Sequence, residues 1–116
     1  MWSRWNPHEA AGRQAADDII QAAEVAEEIV RRGRAGFEAD PVAQFGAQAA
    51  VGRIGDAASK LPEEVRASMP DIPWKEIVGL RIVVDHAYHR LNYGRIWNTL
   101  CKDVPRLRTA VERYRV

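Results

Sequence analysis

Apolar residues recur every three or four positions along most of the chain, which is the spacing of one face of an α-helix. No segment shows the strict alternation of a strand. In residues 11–33 the apolar face is formed by Ile19, Ala22, Ala23, Ala26, Ile29 and Val30. The opposite face is acidic, with Asp17, Asp18, Glu24, Glu27 and Glu28. This pattern predicts a first amphipathic helix that ends near Gly33 and Gly36.

A second helix is predicted from the pair Asp40-Pro41, because aspartate caps a helix start and proline suits the first helical position. Its end is expected near Leu61, before Pro62. Gly52 and Gly55 lower helix propensity, which indicates a close approach by a neighbouring helix. The predicted buried stripe consists of Phe45, Ala49, Val51, Ile54, Ala58 and Leu61.

The remaining chain predicts a short helix in residues 63–69 and two further long ones. The third helix starts at Pro73, ends near residues 88–90 and shows one face with Trp74, Ile77, Leu80 and Val84. The fourth has the cleanest stripe, and Pro105 is expected to kink it. That stripe is Ile96, Trp97, Leu100, Val104, Leu107, Val111 and Tyr114.

Together these elements predict an all-α fold: an antiparallel four-helix bundle with one short extra helix. Residues 11–116 are expected to form this single domain, after an N-terminal tail of residues 1–10. The third helix is apolar on more than one side, since Ile82, Val83 and Val84 are consecutive. Such a surplus predicts a homodimer with its twofold axis near this helix.

Charge and composition narrow the class of protein. The 116 residues suffice for one core, and 17 Lys and Arg against 16 Asp and Glu give a net charge of +1. Residues 1–80 carry 9 basic and 13 acidic side chains, whereas residues 81–116 carry 8 and 3. The basic last third indicates either a polyanion-binding surface or a solvated helix face. Cys101 is the only cysteine, and no secretory or membrane-spanning segment is recognisable, so we expect a cytoplasmic protein.

Common catalytic motifs are missing, but residues 79–90 concentrate chemically competent side chains. On an ideal helix Arg81 and Tyr88 lie about 20° apart around the axis, and His86 lies about 140° from Arg81. These residue types also fit a plain surface pair of Arg81 with Asp85. His86 and His89 are three residues apart, but no Glu-x-x-His motif completes a metal site, so none is expected.

From about Ile54 onward the chain resembles the HepT-like family of the HEPN superfamily, the toxins of HEPN/MNT toxin–antitoxin pairs. The resemblance rests on residues 54–58 with 61–64, the run from Ile72 to Arg81, and the segments 96–97 and 103–107. It also rests on the family motif of an arginine followed by His-x-Tyr, which here is Arg81, His86 and Tyr88.

The resemblance implies a metal-independent ribonuclease that acts as a homodimer with both motifs facing one cleft. His86 is then the general base or acid for attack by a ribose 2′-hydroxyl, and Arg81 stabilises the charge on the reacting phosphate. The RNA path is expected to include Arg90, Arg95, Lys102 and Arg106.

The family also implies a control mechanism by a partner protein. A small MNT-type nucleotidyltransferase antitoxin uses ATP and Mg²⁺ to AMPylate the motif tyrosine, here Tyr88. This chain needs no cofactor of its own in that scheme. An adenylate on Tyr88 places an anion on the face of Arg81 and neutralises it.

One position departs from the family motif. Ile82 follows the motif arginine, where the family usually has asparagine. An isoleucine can neither hold a phosphate oxygen nor orient the histidine. This departure favours an alternative function, a catalytically silent nucleotide-binding or scaffold partner of the nucleotidyltransferase. A third reading, a plain helical interaction domain, requires the motif to be coincidence.

Overall fold

The computed structural model of the chain describes residues 7–86 and 93–115, apart from the side chains of His8 and of residues 82–86. These residues contain no strand, which confirms the all-α prediction. The helices are α1 (Pro7–Arg31), α2 (Arg34–Ala39), α3 (Pro41–Lys60), α4 (Glu63–Ala67), α5 (Trp74–His86), α6 (Tyr93–Asn98) and α7 (Val104–Arg115). A π-helical turn, Thr99–Asp103, joins α6 to α7 and is called the π segment below.

Helix α1 begins earlier than the sequence pattern predicts. It starts at Pro7, so residues 7–10 are helical and do not belong to the predicted tail. Proline suits this position because its fixed φ is helical and a first-turn residue needs no N–H donor. The apolar face is buried as predicted, with Ile19, Ala23 and Ala26 fully enclosed.

The end of α1 and the next turn are set by Gly33. Its φ of 87° lies in the left-handed region, where glycine is favoured. Helix α2 then follows at once, although the sequence predicts a break at Gly36. The side chain of Phe37 in α2 is buried and contacts the rings of Tyr93 and Trp97. The ring centroid of Phe37 lies 5.8 Å from that of Tyr93 and 5.5 Å from that of Trp97.

The cap of α3 is confirmed, since the Val42 backbone N–H donates to Asp40 Oδ1 at 2.9 Å. The predicted stripe is right in its second half, where Val51, Ile54, Ala58 and Leu61 are buried. It is wrong in its first half: Phe45 is 68% exposed and Ala49 is also exposed. The buried positions there are the small residues Ala43, Ala47 and Ala50.

Close packing of α1 on α3 explains this difference. A Cβ added to Gly46 would be in van der Waals contact with Ile29 Cδ1, at 3.5 Å, so there is room for only a small side chain at this point. A phenylalanine on this face would hold the two helices apart, and side-chain size therefore outweighs hydrophobicity.

Helix α1 packs against both α3 and α7, and α3 also packs against α5. The two neighbours of α1 run antiparallel to it. A Cβ on Gly12 would lie 3.3 Å from Pro62 Cδ, while Ile29, at the other end of α1, adjoins Gly46. In the same way Asp17 pairs with Arg115, and Glu27 pairs with Arg108.

The fourth apolar stripe is confirmed, with Ile96, Leu100, Val104, Leu107 and Val111 all buried. The irregularity expected at Pro105 takes the form of the π segment. There the Val104 N–H bonds the carbonyl of Thr99, five residues back. Proline has no N–H and its ring clashes with the carbonyl four residues earlier, so a wider turn just before Pro105 relieves both constraints.

Ion pairs connect α1 to α7 and use part of the basic excess of the last third. Arg108 lies 2.6 Å from Glu27, 2.7 Å from Glu112 and 3.7 Å from Glu24, and Arg115 pairs with Asp17. Hydrogen bonds to Glu27 and Glu112 raise the pKa of Arg108 above its usual range. These two arginines therefore serve the fold.

Candidate functional site

Arg81 lies where α5 crosses α3 most closely. A Cβ added to Gly55 would lie 2.7 Å from the backbone nitrogen of Arg81 and 3.0 Å from the carbonyl oxygen of Ile77. The close approach that the sequence predicts is thus present at Gly55. The absent side chain allows the two backbones to touch, and the contact fixes the position of Arg81.

The guanidinium of Arg81 is half-buried and held from α3. Its Nη1 donates to Ser59 Oγ at 3.2 Å, and the Ser59 hydroxyl donates to the carbonyl of Asp56 at 2.5 Å. The Ser59 hydroxyl therefore donates a hydrogen bond within α3 and accepts one from Arg81. Because a guanidinium has five N–H donors, one bond to Ser59 leaves the others for a bound anion.

The sequence pattern does not single out Ser59. Serine near the end of a helix usually caps or bonds its own backbone, and nothing in the pattern distinguishes this one. Only the packing of α3 on α5 shows that it reaches the candidate site.

His86 belongs to the same helix as Arg81. Helix α5 continues to His86, which places the two residues about 7.5 Å apart along the axis and about 140° apart around it. The side chains of His86 and Ile82 lie outside the described part of the structure, as do residues Tyr88 and Arg90. The roles given to them from the sequence stay predictions.

The other residues predicted on the RNA path are spread over the surface. Arg95 lines a groove of about 380 Å³ that is also lined by Glu76, Leu80 and Asp103. Lys102 is exposed on the π segment.

Arg106 lines a different cavity and donates from Nη2 to the carbonyl of Asp71 at 3.5 Å. No described cavity contains Arg81, Arg95 and Arg106 together.

Among the described side chains, which exclude those of His8 and residues 82–86, no three His, Cys, Asp or Glu cluster in a way that could hold a metal ion. None of the described helices is long and apolar enough to cross a bilayer.

Comparison with known proteins defines the class. The family described as "Ribonuclease HepT-like" matches residues 19–114. A protein of Thermococcus cleftensis, provisionally named ribonuclease HepT, is 32% identical over 100 residues, covering 85% of this chain and 91% of its own. A protein of Caldanaerobacter subterraneus subsp. tengcongensis, provisionally named an RNase, is 38% identical over 76 residues, covering 66% and 68%. No solved structure gives a significant match.

The chain belongs to the HepT-like ribonuclease family. This membership agrees with the resemblance found in the motif residues. The match begins at residue 19, well before Ile54, and thus includes about half of α1 and all of α3.

Proposed function

We propose that the chain is a metal-independent endoribonuclease in which Arg81 and His86 carry the reaction. The observation that supports this most is the fixed position of Arg81, whose backbone abuts Gly55 and whose guanidinium is bonded to Ser59. A preorganised cation of this kind stabilises charge on a reacting phosphate without having to reorganise.

The proposed chemistry is cleavage by the neighbouring ribose 2′-hydroxyl. His86 removes the hydroxyl proton, the 2′-oxygen attacks phosphorus, and the 5′-oxygen leaves with a proton returned by an acid. Arg81 neutralises the phosphate oxygens during attack. Histidine suits the proton transfers because its ordinary pKa lies near neutral pH.

We also propose that the protein works as a homodimer. On an ideal helix, positions 81 and 86 lie about 140° apart around the axis, so one copy of α5 does not bring them to the same side. A twofold axis near α5 brings Arg81 of one protomer towards His86 of its partner. The run of three apolar residues Ile82, Val83 and Val84 in the sequence supports such an interface.

Control by a partner completes the proposal. The protein acts as the toxin of a toxin–antitoxin pair in the cytoplasm, and a small nucleotidyltransferase silences it by transferring AMP from ATP to Tyr88. Incubation with the cognate enzyme, ATP and Mg²⁺ should add adenylate mass to Tyr88. The Tyr88→Phe variant should accept none there and should still cleave RNA. Modification of Tyr93 or Tyr114 instead of Tyr88 would contradict the regulatory part.

The nuclease proposal is tested with Arg81→Ala and His86→Ala. Each variant should stay folded and dimeric but lose RNA cleavage and growth arrest, whereas Arg53→Ala, which changes an exposed arginine on α3, should keep both. Full activity in both Arg81→Ala and His86→Ala would show that the assignment is wrong.

Ile82 favours a second candidate, a catalytically silent partner of the nucleotidyltransferase. An isoleucine beside Arg81 cannot bond a phosphate oxygen, as the usual asparagine can. If the wild-type chain binds the transferase without cleaving RNA, and Ile82→Asn restores cleavage, the silent function is correct for this chain.

A further inference from the structure

A second cavity, of about 610 Å³, lies between α7 and the connector that follows α4. We call it the α7 cavity; residues 68–72 line one side and one face of α7 lines the other. Its volume falls within the usual range for small-ligand sites. Arg81 does not line it, so it is separate from the site described above.

The arginines of α7 divide into two groups. Arg108 and Arg115 pair with acidic residues of α1. Arg106 and Arg113 line the cavity, and they lie on the far side of α7, about 140–180° from Arg108 and Arg115 around the axis. Two turns of helix, about 10.5 Å, separate Arg106 from Arg113.

The guanidinium groups of the two cavity arginines form few interactions with the described residues. Arg106 makes one long bond, 3.5 Å, to the carbonyl of Asp71. Among the side chains that the structure describes, none forms a hydrogen bond or ion pair with the guanidinium of Arg113. A helix that places two open guanidinium groups at one cavity offers strong donors to an anion such as a phosphate.

Between the arginines the cavity has a small floor and apolar walls. Thr109 and Ala110 form the floor, and Met69 and Ile72 contribute apolar surface from the connector. Tyr114 also lines the cavity, and its hydroxyl lies against Gly12, where an added Cβ would be only 2.5 Å away. A tyrosine side chain has an aromatic face on which a flat base can stack.

The hydroxyl groups at the cavity act mainly as acceptors. Ser68 Oγ donates to the carbonyl of Val65, and Thr109 Oγ1 donates to the carbonyl of Pro105 at 3.1 Å. The Asp71 carboxylate adds another acceptor and disfavours an anion at its own end of the cavity. The donors are thus arginines and the acceptors are hydroxyl or carboxylate oxygens. This arrangement fits a phosphate next to a group with N–H donors, as in a nucleobase.

We infer that the α7 cavity binds a nucleotide, with the phosphate at Arg106 and Arg113 and the base against Met69 and Tyr114. The same chemistry is offered by a nucleotide within an RNA strand and by a free nucleoside monophosphate. That the nucleotide belongs to an RNA strand rests on the proposed function, whereas the inference of a nucleotide site in the α7 cavity does not. Arg106, predicted on an RNA path with Arg95, is assigned to this separate site together with Arg113.

Binding is tested with a fluorescently labelled RNA of ten nucleotides, with AMP and with inorganic phosphate. All proteins carry His86→Ala, which prevents cleavage of the RNA during the measurement. Arg113→Gln should weaken RNA or AMP binding at least tenfold and reduce the salt slope of RNA binding by about one. Arg53→Gln is the matched control, because it removes the same charge from an exposed arginine that lines no described cavity. It should change the affinity less than twofold.

A second variant tests the cavity without changing charge. Ala110→Leu fills the floor of the site and should weaken binding by a similar factor, with thermal unfolding as a check that the helix is intact. If Arg113→Gln and Ala110→Leu both bind RNA and AMP as Arg53→Gln does, the inference is wrong. If inorganic phosphate binds at the cavity and does so as tightly as AMP, the inference is also wrong, since the base then contributes nothing.

The two sources give different results. If AMP competes with the labelled RNA, the cavity accepts a free nucleotide as well as a strand; if RNA binds and AMP does not, it requires the strand. Both results support a nucleotide site. Failure of the proposed function is seen separately, as absence of RNA cleavage by the wild-type chain, and leaves the binding measurements unaffected.

Discussion

Gly55 places the backbone of α5 directly against α3 at Arg81. Gly55→Ala should lower the free energy of unfolding by about 1–2 kcal/mol, because the added Cβ meets backbone atoms that cannot turn aside. It should also reduce RNA cleavage by displacing Arg81. Chemical denaturation and cleavage assays measure the two effects.

Gly79 provides the control for that substitution. Gly79 lies on α5, two residues before Arg81, and a Cβ added there would meet nothing within 4 Å. Gly79→Ala should therefore raise stability by about 0.5–1 kcal/mol through helix propensity. If Gly55→Ala behaves like Gly79→Ala, the close crossing of α3 and α5 is refuted.

Ser59 holds the Arg81 guanidinium in place. Ser59→Ala removes the hydrogen bond to Arg81, which is worth about 0.5–1.5 kcal/mol, so cleavage should fall about 2- to 10-fold. Ser59→Thr keeps the hydroxyl and should restore most of the rate. Steady-state kinetics should show the loss in kcat, while KM stays near the wild-type value. An unchanged rate in Ser59→Ala would exclude a positioning role.

At the scale of elements, α2 depends on one aromatic side chain. Phe37→Ala should cost about 3–5 kcal/mol, because the buried ring contacts Tyr93 and Trp97. Phe45→Ala should change stability by less than about 0.5 kcal/mol, since that ring is exposed. Urea unfolding of the two variants distinguishes them; equal losses would mean that Phe45 is buried after all.

The same pair of residues shows how far sequence reasoning reaches. Periodicity locates the long helices because burial of one face imposes it, and the Asp40 cap follows from local chemistry. The choice between Phe37 and Phe45 depends on how closely α1 approaches α3, and no local pattern records that distance. For the candidate site, the sequence singles out Arg81 and Gly55, whereas Ser59 and Arg113 gain their roles only from neighbours distant in the chain.

At the scale of the whole molecule, ion pairs join α7 to α1. Arg108→Met keeps the apolar stem but removes the charge, and it should lower stability by about 1 kcal/mol at low salt. The difference should shrink in 1 M salt, as the Debye length falls to about 3 Å. Arg113→Met, on the same helix without an ion pair to the described residues, should be near neutral.

The pH dependence of this contribution follows from the raised pKa of Arg108. A group whose pKa rises on folding stabilises the fold below its unfolded pKa and loses that effect only as the pH rises through the folded value. The loss therefore begins above about pH 12, and arginine titration leaves the difference between Arg108→Met and the wild type constant at lower pH. A difference that disappears between pH 7 and 10 would contradict this origin.

The π segment amounts to one surplus residue in an otherwise continuous helix. A bond from Val104 to Thr99 spans five residues where an α-helix spans four, so α7 is rotated and advanced relative to α6 by one position. Deleting the exposed Lys102 would return the chain to α-helical count, but Pro105 would then meet the carbonyl four residues before it. The deletion should thus fold poorly alone and well when combined with Pro105→Ala. The number of residues in this helix and the position of its proline are therefore coupled, and a change in one destabilises the fold unless the other changes with it.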